Sequence, residues 1–358
     1  MNEKGNFIVK AKLKDVVCII TDKKSSSLID VNNYVSTENI LPNREGIRFP
    51  AKSLPRISKI LSYQKNDVLV SNIRPYFKKI WFSDRDGVRS NDVLAFRTKN
   101  SNILLQKYLY LLLQSDKFFD YVTLTAKGTK MPRGDKKAIL NFTFELPSIS
   151  TQKKLTNYFF VIESLIKLNN LINDNLMDFR HIQYKKMMAN SRISLMAIKK
   201  IYNINYGKAL PKDKLKNHGT KVYGANGFLG FTEKTPLITK PSVTIVSRGS
   251  NSGYVKCVPG NLFLTNNLLY IIDKNDVGLS FTYEAIKEST PQKFVTGSAQ
   301  PQLTIANLSQ LKLKLPEDNS LITKFKIDME KIEKMMFNNE SENKRLAGLK
   351  KSLLNRYF

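Results

Sequence analysis

The chain of 358 residues is too long for one ordinary core, and its length suggests about two domains. With 42% hydrophobic and 10% aromatic residues it can bury real cores, which excludes a disordered tail. Lysine and arginine number 58 against 30 acidic residues, and the net charge of +28 indicates a polyanionic partner, for which nucleic acid is the usual candidate. Only two cysteines occur, Cys18 and Cys257, so a disulfide scaffold and a Cys-rich zinc site are excluded.

Neither a membrane span nor a leader is expected. The best apolar stretch, residues 108–113, is far shorter than the roughly 20 residues that a spanning helix needs. Residues 1–7 lack the basic and apolar regions of a signal peptide. We therefore expect a reduced, cytoplasmic protein.

Short β-branched and apolar runs bounded by Gly, Pro, Asn and Asp predict strands through most of the chain. Helical runs such as residues 104–114 interrupt them, which predicts β-rich α+β domains. The strand predictions cover residues 16–20, 68–70, 243–246, 262–264 and 268–272.

Two long helices are predicted, one after Pro147 and one after Pro316. Their apolar and Asn positions alternate in steps of four and three, a spacing of 3.5 residues that predicts a coiled-coil seam. Two unrelated surface helices, or a bundle around its own core, remain the alternative. The seam positions are Leu155, Phe159, Ile162, Ile166, Asn169, Asn173 and Leu176, then Phe325, Met329, Ile332, Met336, Asn339, Asn343 and Leu346. An offset of 170 superposes the two seams, so the four asparagines are predicted to fix the helix register.

The chain also repeats itself outside the helices, in four segments that recur in the same order. Residues 68–71, 90–94, 128–133 and 146–147 match residues 244–247, 265–269, 297–302 and 315–316. The offsets of 176, 175, 169 and 169 are nearly constant, which indicates a true two-fold repeat.

The repeat and the helices divide the chain into four parts. Residues 1–150 and 191–316 form two globular domains, with net charges of +12 and +11. Residues 151–190 and 317–358 form two spacer helices that carry only +3 and +2. Most of the positive charge therefore lies in the two domains, where a polyanion would bind.

Two loops have the composition of nucleic-acid contacts. Gly128 and Gly297 each open a [ST]-x-x-P segment, in which Thr129 or Ser298 can bind phosphate. The donors predicted to read base edges are Lys130, Arg133, Gln300 and Gln302. A simple Gly-Pro surface turn is the alternative.

Two further stretches combine aromatic side chains with donors, as nucleic-acid surfaces do. The first contains Asn72, Arg74, Tyr76 and Lys78, and the second, residues 223–230, contains Tyr223 and Asn226. For each of these residues a structural role is the alternative to base contact.

Catalytic patterns are missing. The two histidines, His181 and His218, lack metal-ligand spacing, and no phosphate-binding or dinucleotide glycine motif occurs. Two D-x-K tripeptides begin at Asp22 and Asp135, but in a Lys-rich chain these arise by chance. The sequence therefore predicts a binding protein without a metal or another cofactor, and not an enzyme.

The chain resembles the specificity (S) subunit of type I restriction-modification systems. The resemblance covers nearly the whole chain and is carried by residues 67–77, 90–92, 222–227, 247–253 and 263–268, and by the linker from Leu146-Pro147 to Gln152. Through these motifs it adds Asn91, Arg248, Asn251 and Asn266 to the expected DNA-binding residues. In the second linker, Leu321-Ile322 departs from the family pattern.

The resemblance implies two β-rich target-recognition domains of an α+β fold, separated by two long antiparallel coiled-coil helices with a pseudo-two-fold axis. Antiparallel pairing would place Asn169 beside Asn343 and Asn173 beside Asn339. It further implies a non-catalytic subunit of a host-defence system that reads bipartite double-stranded DNA. Two DNA methyltransferase (modification) subunits would dock on its helices, and restriction (translocase) subunits can join.

Two other functions remain open. One is a DNA-modifying or DNA-cleaving enzyme with an unrecognised active site, which predicts activity of the isolated chain with a metal or a methyl donor. The other is an RNA-binding repeat protein, which predicts no preference for a bipartite duplex.

Overall fold

The computed structural model describes residues 9–25 and 30–358, and its contacts divide the chain into two units. The first unit contains residues 1–167 and 344–358, and the second contains residues 168–343. Residues 1–7, for which no signal peptide was expected, lie outside the described residues.

The first unit is built on two four-stranded sheets. One has the order β2-β9-β6-β7, the other β3-β5-β8-β4, and β1 pairs separately with β10. The strands are β1 (Val9–Lys12), β2 (Val17–Ile19), β3 (Lys23–Ser25), β4 (Tyr34–Val35), β5 (Lys59–Tyr63), β6 (Val68–Ser71), β7 (Ile80–Phe82), β8 (Gly87–Arg89), β9 (Val93–Thr98) and β10 (Thr143–Leu146). The helices are α1 (Leu13–Val16), α2 (Gln106–Gln114), α3 (Asp116–Leu124) and α4 (Lys136–Leu140).

Strand β6 shows that the sheet β2-β9-β6-β7 is packed on both faces. Successive side chains of a strand point to opposite faces, and all four residues of β6 are buried. Val68 and Val70 belong to the core that contains α2, whereas Leu69 packs in a second core with Tyr63 and Trp81. The sheet is therefore covered on both sides.

The second unit repeats this plan. Its sheet β12-β18-β15-β16 has the strand order of β2-β9-β6-β7, and β11 pairs with β19 as β1 pairs with β10. A three-stranded sheet, β14-β13-β17, stands beside them. The strands are β11 (Ile193–Ala197), β12 (Tyr202–Tyr206), β13 (Thr220–Gly224), β14 (Gly227–Thr232), β15 (Ser242–Val246), β16 (Val255–Val258), β17 (Leu262–Leu264), β18 (Leu268–Asp273) and β19 (Lys312–Pro316). The shorter helices are α6 (Ile198–Ile201), α7 (Leu279–Glu288) and α8 (Ile305–Leu308).

Two long helices follow β10 and β19, as the sequence predicts. They are α5 (Ile149–Ala189), of 41 residues, and α9 (Asn319–Tyr357), of 39 residues. At ~1.5 Å per residue each helix is about 60 Å long, so it extends beyond the seam positions at both ends. Within the first unit Glu163 of α5 accepts a hydrogen bond from Lys350 of α9 at 2.5 Å, and the ring of Phe159 lies 6.2 Å from that of Phe358, so these segments run antiparallel.

The seam asparagines pair within the second unit. The Nδ2 of Asn169 donates to the Oδ1 of Asn343 at 3.0 Å, and the Nδ2 of Asn339 donates to the Oδ1 of Asn173 at 2.8 Å. Asn169 and Asn173 are buried. Here too the helices run antiparallel, with the partners that antiparallel pairing requires, while a register-fixing role stays a prediction.

The starts of the two long helices differ in chemistry. Gln152 is fully buried, donates to the carbonyls of Ile103 and Pro147, and accepts from the amide of Leu105, all at 2.9 Å. The equivalent residue on α9 is Ile322, which is buried in an apolar core. In the second linker, apolar packing of Ile322 thus replaces the hydrogen bonds that Gln152 makes in the first.

Candidate nucleic-acid interface

Three segments meet at one place in the first unit, two of them repeated in the sequence and the third following the repeated residues 68–71. The amide of Asn72 donates to the carbonyl of Asp92 at 2.8 Å, and the amide of Arg74 donates to the carbonyl of Pro132 at 2.8 Å. The amide of Gly134 donates back to the carbonyl of Asn72 at 3.0 Å. Main-chain groups therefore hold the segments 72–74, 90–92 and 127–134 together; we call this the first cleft.

The loop that crosses the first cleft is closed at its base. Lys127 and Arg133 exchange two main-chain hydrogen bonds, at 2.8 and 2.9 Å. Gly128 has a φ of +92°, a left-handed conformation that glycine adopts without steric cost. The side chains of residues 129–131 and 133 are consequently exposed at the tip.

The second unit builds the same arrangement, which we call the second cleft, from segments 247–249, 265–267 and 296–303. Ser247 donates to the carbonyl of Asn267 at 2.8 Å, and Gly249 donates to that of Pro301 at 3.0 Å. Thr296 and Gln302 exchange hydrogen bonds at 2.9 and 2.8 Å. Gly297 has a φ of +89°, and a Cβ there would lie 2.7 Å from the carbonyl oxygen of Gln300, so this loop requires glycine.

A concavity of about 630 Å³ marks the second cleft, between two loops that a serine joins. The hydroxyl of Ser252 donates to the carbonyls of Gly249 and Pro301, at 2.7 and 2.9 Å. The concavity is lined by Arg248, Gly249, Ser250, Ala299, Gln300, Pro301 and Gln302.

Most of the expected DNA-contacting residues are accessible. Asn266, Gln302 and Lys78 are half-buried. The exposed ones are Arg74, Tyr76, Asn91, Gly128, Thr129, Lys130 and Arg133 in the first unit, and Asn226, Arg248, Asn251, Gly297, Ser298 and Gln300 in the second.

Two expected contact residues are buried. Asn72 is 7% exposed, and its Oδ1 lies 2.6 Å from where a Cβ on Gly134 would stand. Tyr223 is 6% exposed within an apolar cluster and packs edge-on against Phe228. Because neither side chain is open to solvent, both are placed to support the loops from inside.

Lys78 is also occupied. Its Nζ lies 2.5 Å from the carboxylate of Asp116, which Arg44 contacts as well. The hydrogen bonds from Lys78 and then Arg44 lower the pKa of Asp116 to about 2. Lys78 thus neutralises a partly exposed carboxylate of α3.

Asp92 lies in a repeated segment, but the sequence did not single it out as a candidate site residue. Its carboxylate is 3.2 Å from a terminal nitrogen of Arg133. The equivalent residue of the second cleft, Asn267, was overlooked too. Asp92 belongs to a motif that the sequence shows, but its partner Arg133 lies 41 residues away, and no local pattern connects the two.

Two of the residues considered for catalysis, Asp135 and His181, have structural partners. Asp135 caps α4, because its Oδ1 accepts from the amide of Lys137 at 2.9 Å. His181 contacts Glu284 through Nδ1 at 2.9 Å. Across residues 9–25 and 30–358 no group of three His, Cys, Asp or Glu residues is placed to hold a metal ion, and no helix of that part is long and apolar enough to cross a membrane.

A protein family matches this chain over both repeats. The family described as the type I restriction modification DNA specificity domain matches residues 8–177 and again residues 190–351. The chain therefore belongs to that family, and the resemblance noted in the sequence is confirmed. The Type I restriction enzyme HindI specificity subunit of Haemophilus influenzae is 28% identical over 140 residues, which are 37% of this chain and 30% of that protein. The aligned part thus spans under a third of this relative.

Solved structures are similar over the full length. The S subunit of a type I restriction-modification system from M. genitalium has a TM-score of 0.69 and 14% identity, covering 100% of this chain and 98% of the other. The HsdS subunit from Thermoanaerobacter tengcongensis has a TM-score of 0.41 and 15% identity, covering 98% and 96%. At such identity the first match establishes the fold, and with the family match it confirms the predicted α+β architecture of two β-rich repeats with long helices.

Proposed function

We propose that this chain is the DNA specificity subunit of a type I restriction-modification methyltransferase complex. Residues 1–150 and 191–316 are its two target-recognition domains, and residues 151–190 and 317–358 are its spacer helices. Each domain reads one half of a bipartite duplex site, and catalysis belongs to partner subunits. The complex acts in the cytoplasm on double-stranded DNA.

One observation carries this proposal. The same network of main-chain hydrogen bonds occurs in both units, and each time it presents a glycine-opened loop with exposed donors. The two domains that hold these clefts carry most of the excess positive charge. Positive surface attracts the phosphates of any duplex, while the loops differ in the donors that distinguish bases.

The residues proposed to contact DNA are those that the two clefts leave accessible. Main-chain amides and hydroxyls at the glycine turns suit phosphate, and the longer side chains suit base edges. The set comprises Arg74, Tyr76, Asn91, Gly128, Thr129, Lys130, Arg133, Asn226, Arg248, Asn251, Asn266, Gly297, Ser298, Gln300 and Gln302.

The methyltransferase subunits, two in number, dock on the long helices, and a restriction subunit can join them. Support comes from α5, which exposes large apolar side chains at helical spacing although it already buries a seam. These are Tyr158, Val161 and Leu165 in the first unit, and Leu168, Leu171, Phe179 and Ile182 in the second. Beside Phe179 the second unit also has a groove of about 380 Å³ between α5 and α9.

The function is tested by mapping methylated bases across the genome with and without this gene. We expect one bipartite motif to lose methylation when the gene is deleted and to regain it on complementation. Methylation or cleavage by the isolated chain, supplied with a methyl donor or Mg²⁺, would favour an enzyme. Binding of single-stranded RNA in preference to duplex DNA would contradict the proposal in another way.

Docking is tested by copurifying the chain with its methyltransferase subunit. Leu165→Gln combined with Leu168→Gln should weaken the complex, because two apolar contacts on α5 are lost. Leu124→Gln is the matched control, since Leu124 is 85% exposed on α3, away from the long helices. Equal losses for both variants would contradict docking on α5.

A further inference from the structure

The two clefts share a backbone but differ in chemistry at two equivalent positions. The main-chain carbonyl of Asp92 accepts a hydrogen bond from the amide of Asn72, and that of Asn267 accepts one from the amide of Ser247. Arg133 and Gln302 both close their loop by a pair of main-chain hydrogen bonds. The same two places therefore hold a charged Asp–Arg combination in the first cleft and an Asn–Gln combination in the second.

In the first cleft the two side chains contact each other. A terminal nitrogen of Arg133 lies 3.2 Å from one carboxylate oxygen of Asp92 and 3.4 Å from the other. The side chains are 57% and 37% exposed, so the pair stands at the surface. A carboxylate that binds one end of a planar guanidinium restricts its orientation and leaves its other N–H groups free to donate.

Base edges discriminate between these two combinations. The guanidinium fork matches the O6 and N7 acceptors of guanine, and a carboxylate accepts from the N4 amino group of cytosine. A Gln or Asn amide both donates and accepts, which matches N7 and the N6 amino group of adenine. Asn267 is exposed and Gln302 is half-buried at the rim of the second cleft.

We propose that Arg133 reads a guanine in the half-site of the first domain, with Asp92 as its positioning residue, and that Gln302 reads an adenine in the other half-site. This inference rests on the proposed function and specifies what each cleft recognises. The competing explanation is a surface ion pair that only stiffens the loop. Exposed ion pairs contribute little to stability, so such a role would have little effect. The two accounts differ in whether the recognised base changes.

The experiment exchanges the chemistry of one cleft for that of the other. Asp92→Asn combined with Arg133→Gln is expressed with the methyltransferase subunits, and the methylated motif is mapped. One position of the first half-site should change from G·C to A·T, with a shift in preference of about 5- to 140-fold. The second half-site should be unchanged, which also shows that the variant folds and assembles.

Three further variants sharpen the result. Arg133→Lys keeps the charge without the fork and should relax the guanine preference. Asn267→Asp with Gln302→Arg should introduce G·C into the second half-site alone. Lys136→Gln removes an exposed charge of α4 and should leave the motif intact while lowering the salt dependence of binding by about one ion.

Retention of the original first half-site by the double variant, a change in both half-sites, or loss of all methylation would overturn the inference. The proposed function would survive each of these, because the unaltered chain would still specify a bipartite motif. If the unaltered chain specifies no motif, the proposed function itself fails, and the inference fails with it.

Discussion

The ion pair between Arg180 of α5 and Glu284 of α7 fastens the second domain to its long helix. The Nε of Arg180 donates to Oε1 of Glu284 at 2.8 Å, and Nδ1 of His181 lies 2.9 Å from Oε2. The side chains of Arg180 and Glu284 are only 4% and 2% exposed, and the guanidinium stacks 4.1 Å from the ring centroid of Tyr283. Truncating either partner leaves the other as a buried charge that has lost its ion-pair partner, with only His181 beside Glu284 or the ring of Tyr283 beside Arg180.

The expected cost follows from that burial. Removing one partner of a buried pair costs about 3–5 kcal/mol, whereas replacing both by apolar groups is often neutral. Glu284→Leu and Arg180→Met should each destabilise the second unit by that amount, and the double variant should recover most of the loss. For a unit of this size the single losses correspond to a Tm decrease of about 6–20 °C.

Calorimetry, together with hydrogen exchange of the α7 amides, measures the stability of the second unit. The only tryptophan, Trp81, lies in the first unit, so its fluorescence provides an internal reference that should stay unchanged. Lys185→Met is the matched control, because Lys185 and Glu288 form a more exposed pair at 2.7 Å, worth only about 0–1 kcal/mol. Additive losses in the double variant, or equal losses for Lys185→Met, would refute the reasoning.

Three shorter predictions concern the seam, an acidic residue and a thiol. Replacing all four seam asparagines by leucine should raise the Tm and loosen the helix register, because buried amides fix register at a cost in stability; a lower Tm would contradict this. The pKa of Asp116 is lowered from 3.8 to about 2, so its ion pairs stabilise the first unit above pH ~4, and that contribution is lost as the pH falls towards 2. Asp116→Asn should remove this acid dependence from Trp81 fluorescence, and an unaltered pH profile would count against it. Burial raises the pKa of the Cys257 thiol to about 12, so alkylation at pH 8 should be far slower in the folded chain than in urea; equal rates would show that the thiolate is accessible.

The sequence predicts those features that depend on periodicity. The 3.5-residue spacing after Pro147 and Pro316 locates both long helices, and the shared offset of 170 makes Asn169 and Asn173 equivalent to Asn339 and Asn343. With the antiparallel arrangement that the family resemblance implies, this equivalence places Asn169 beside Asn343. The repeat offsets likewise identify two of the three segments that meet in the first cleft, 90–92 and 127–134. Apart from the antiparallel arrangement, these features are predictable because each follows from spacing along the chain.

Contacts between distant residues leave no such pattern. Glu284 is separated from Arg180 by 104 residues, and no local motif connects them. The sequence does not predict burial either, since an Asn or a Tyr at positions 72 and 223 suits both an exposed donor and a buried supporting residue. Only the packing of Gly134 against Asn72, and of the apolar cluster around Tyr223, decides between them.

The division of labour between main chain and side chains explains how one fold can read different sequences. Main-chain groups hold the segments of each cleft together, for example between Arg74 and Pro132 or between Gly249 and Pro301. Such bonds form whichever side chains stand at positions 92, 133, 267 and 302, apart from proline as a donor. The side chains at the rim can therefore change from charged to amide groups without altering the loop. A cleft built in this way should accept exchanged recognition residues at little cost in stability, so a change of recognised base and a nearly constant Tm should occur together in the Asp92 and Arg133 variants.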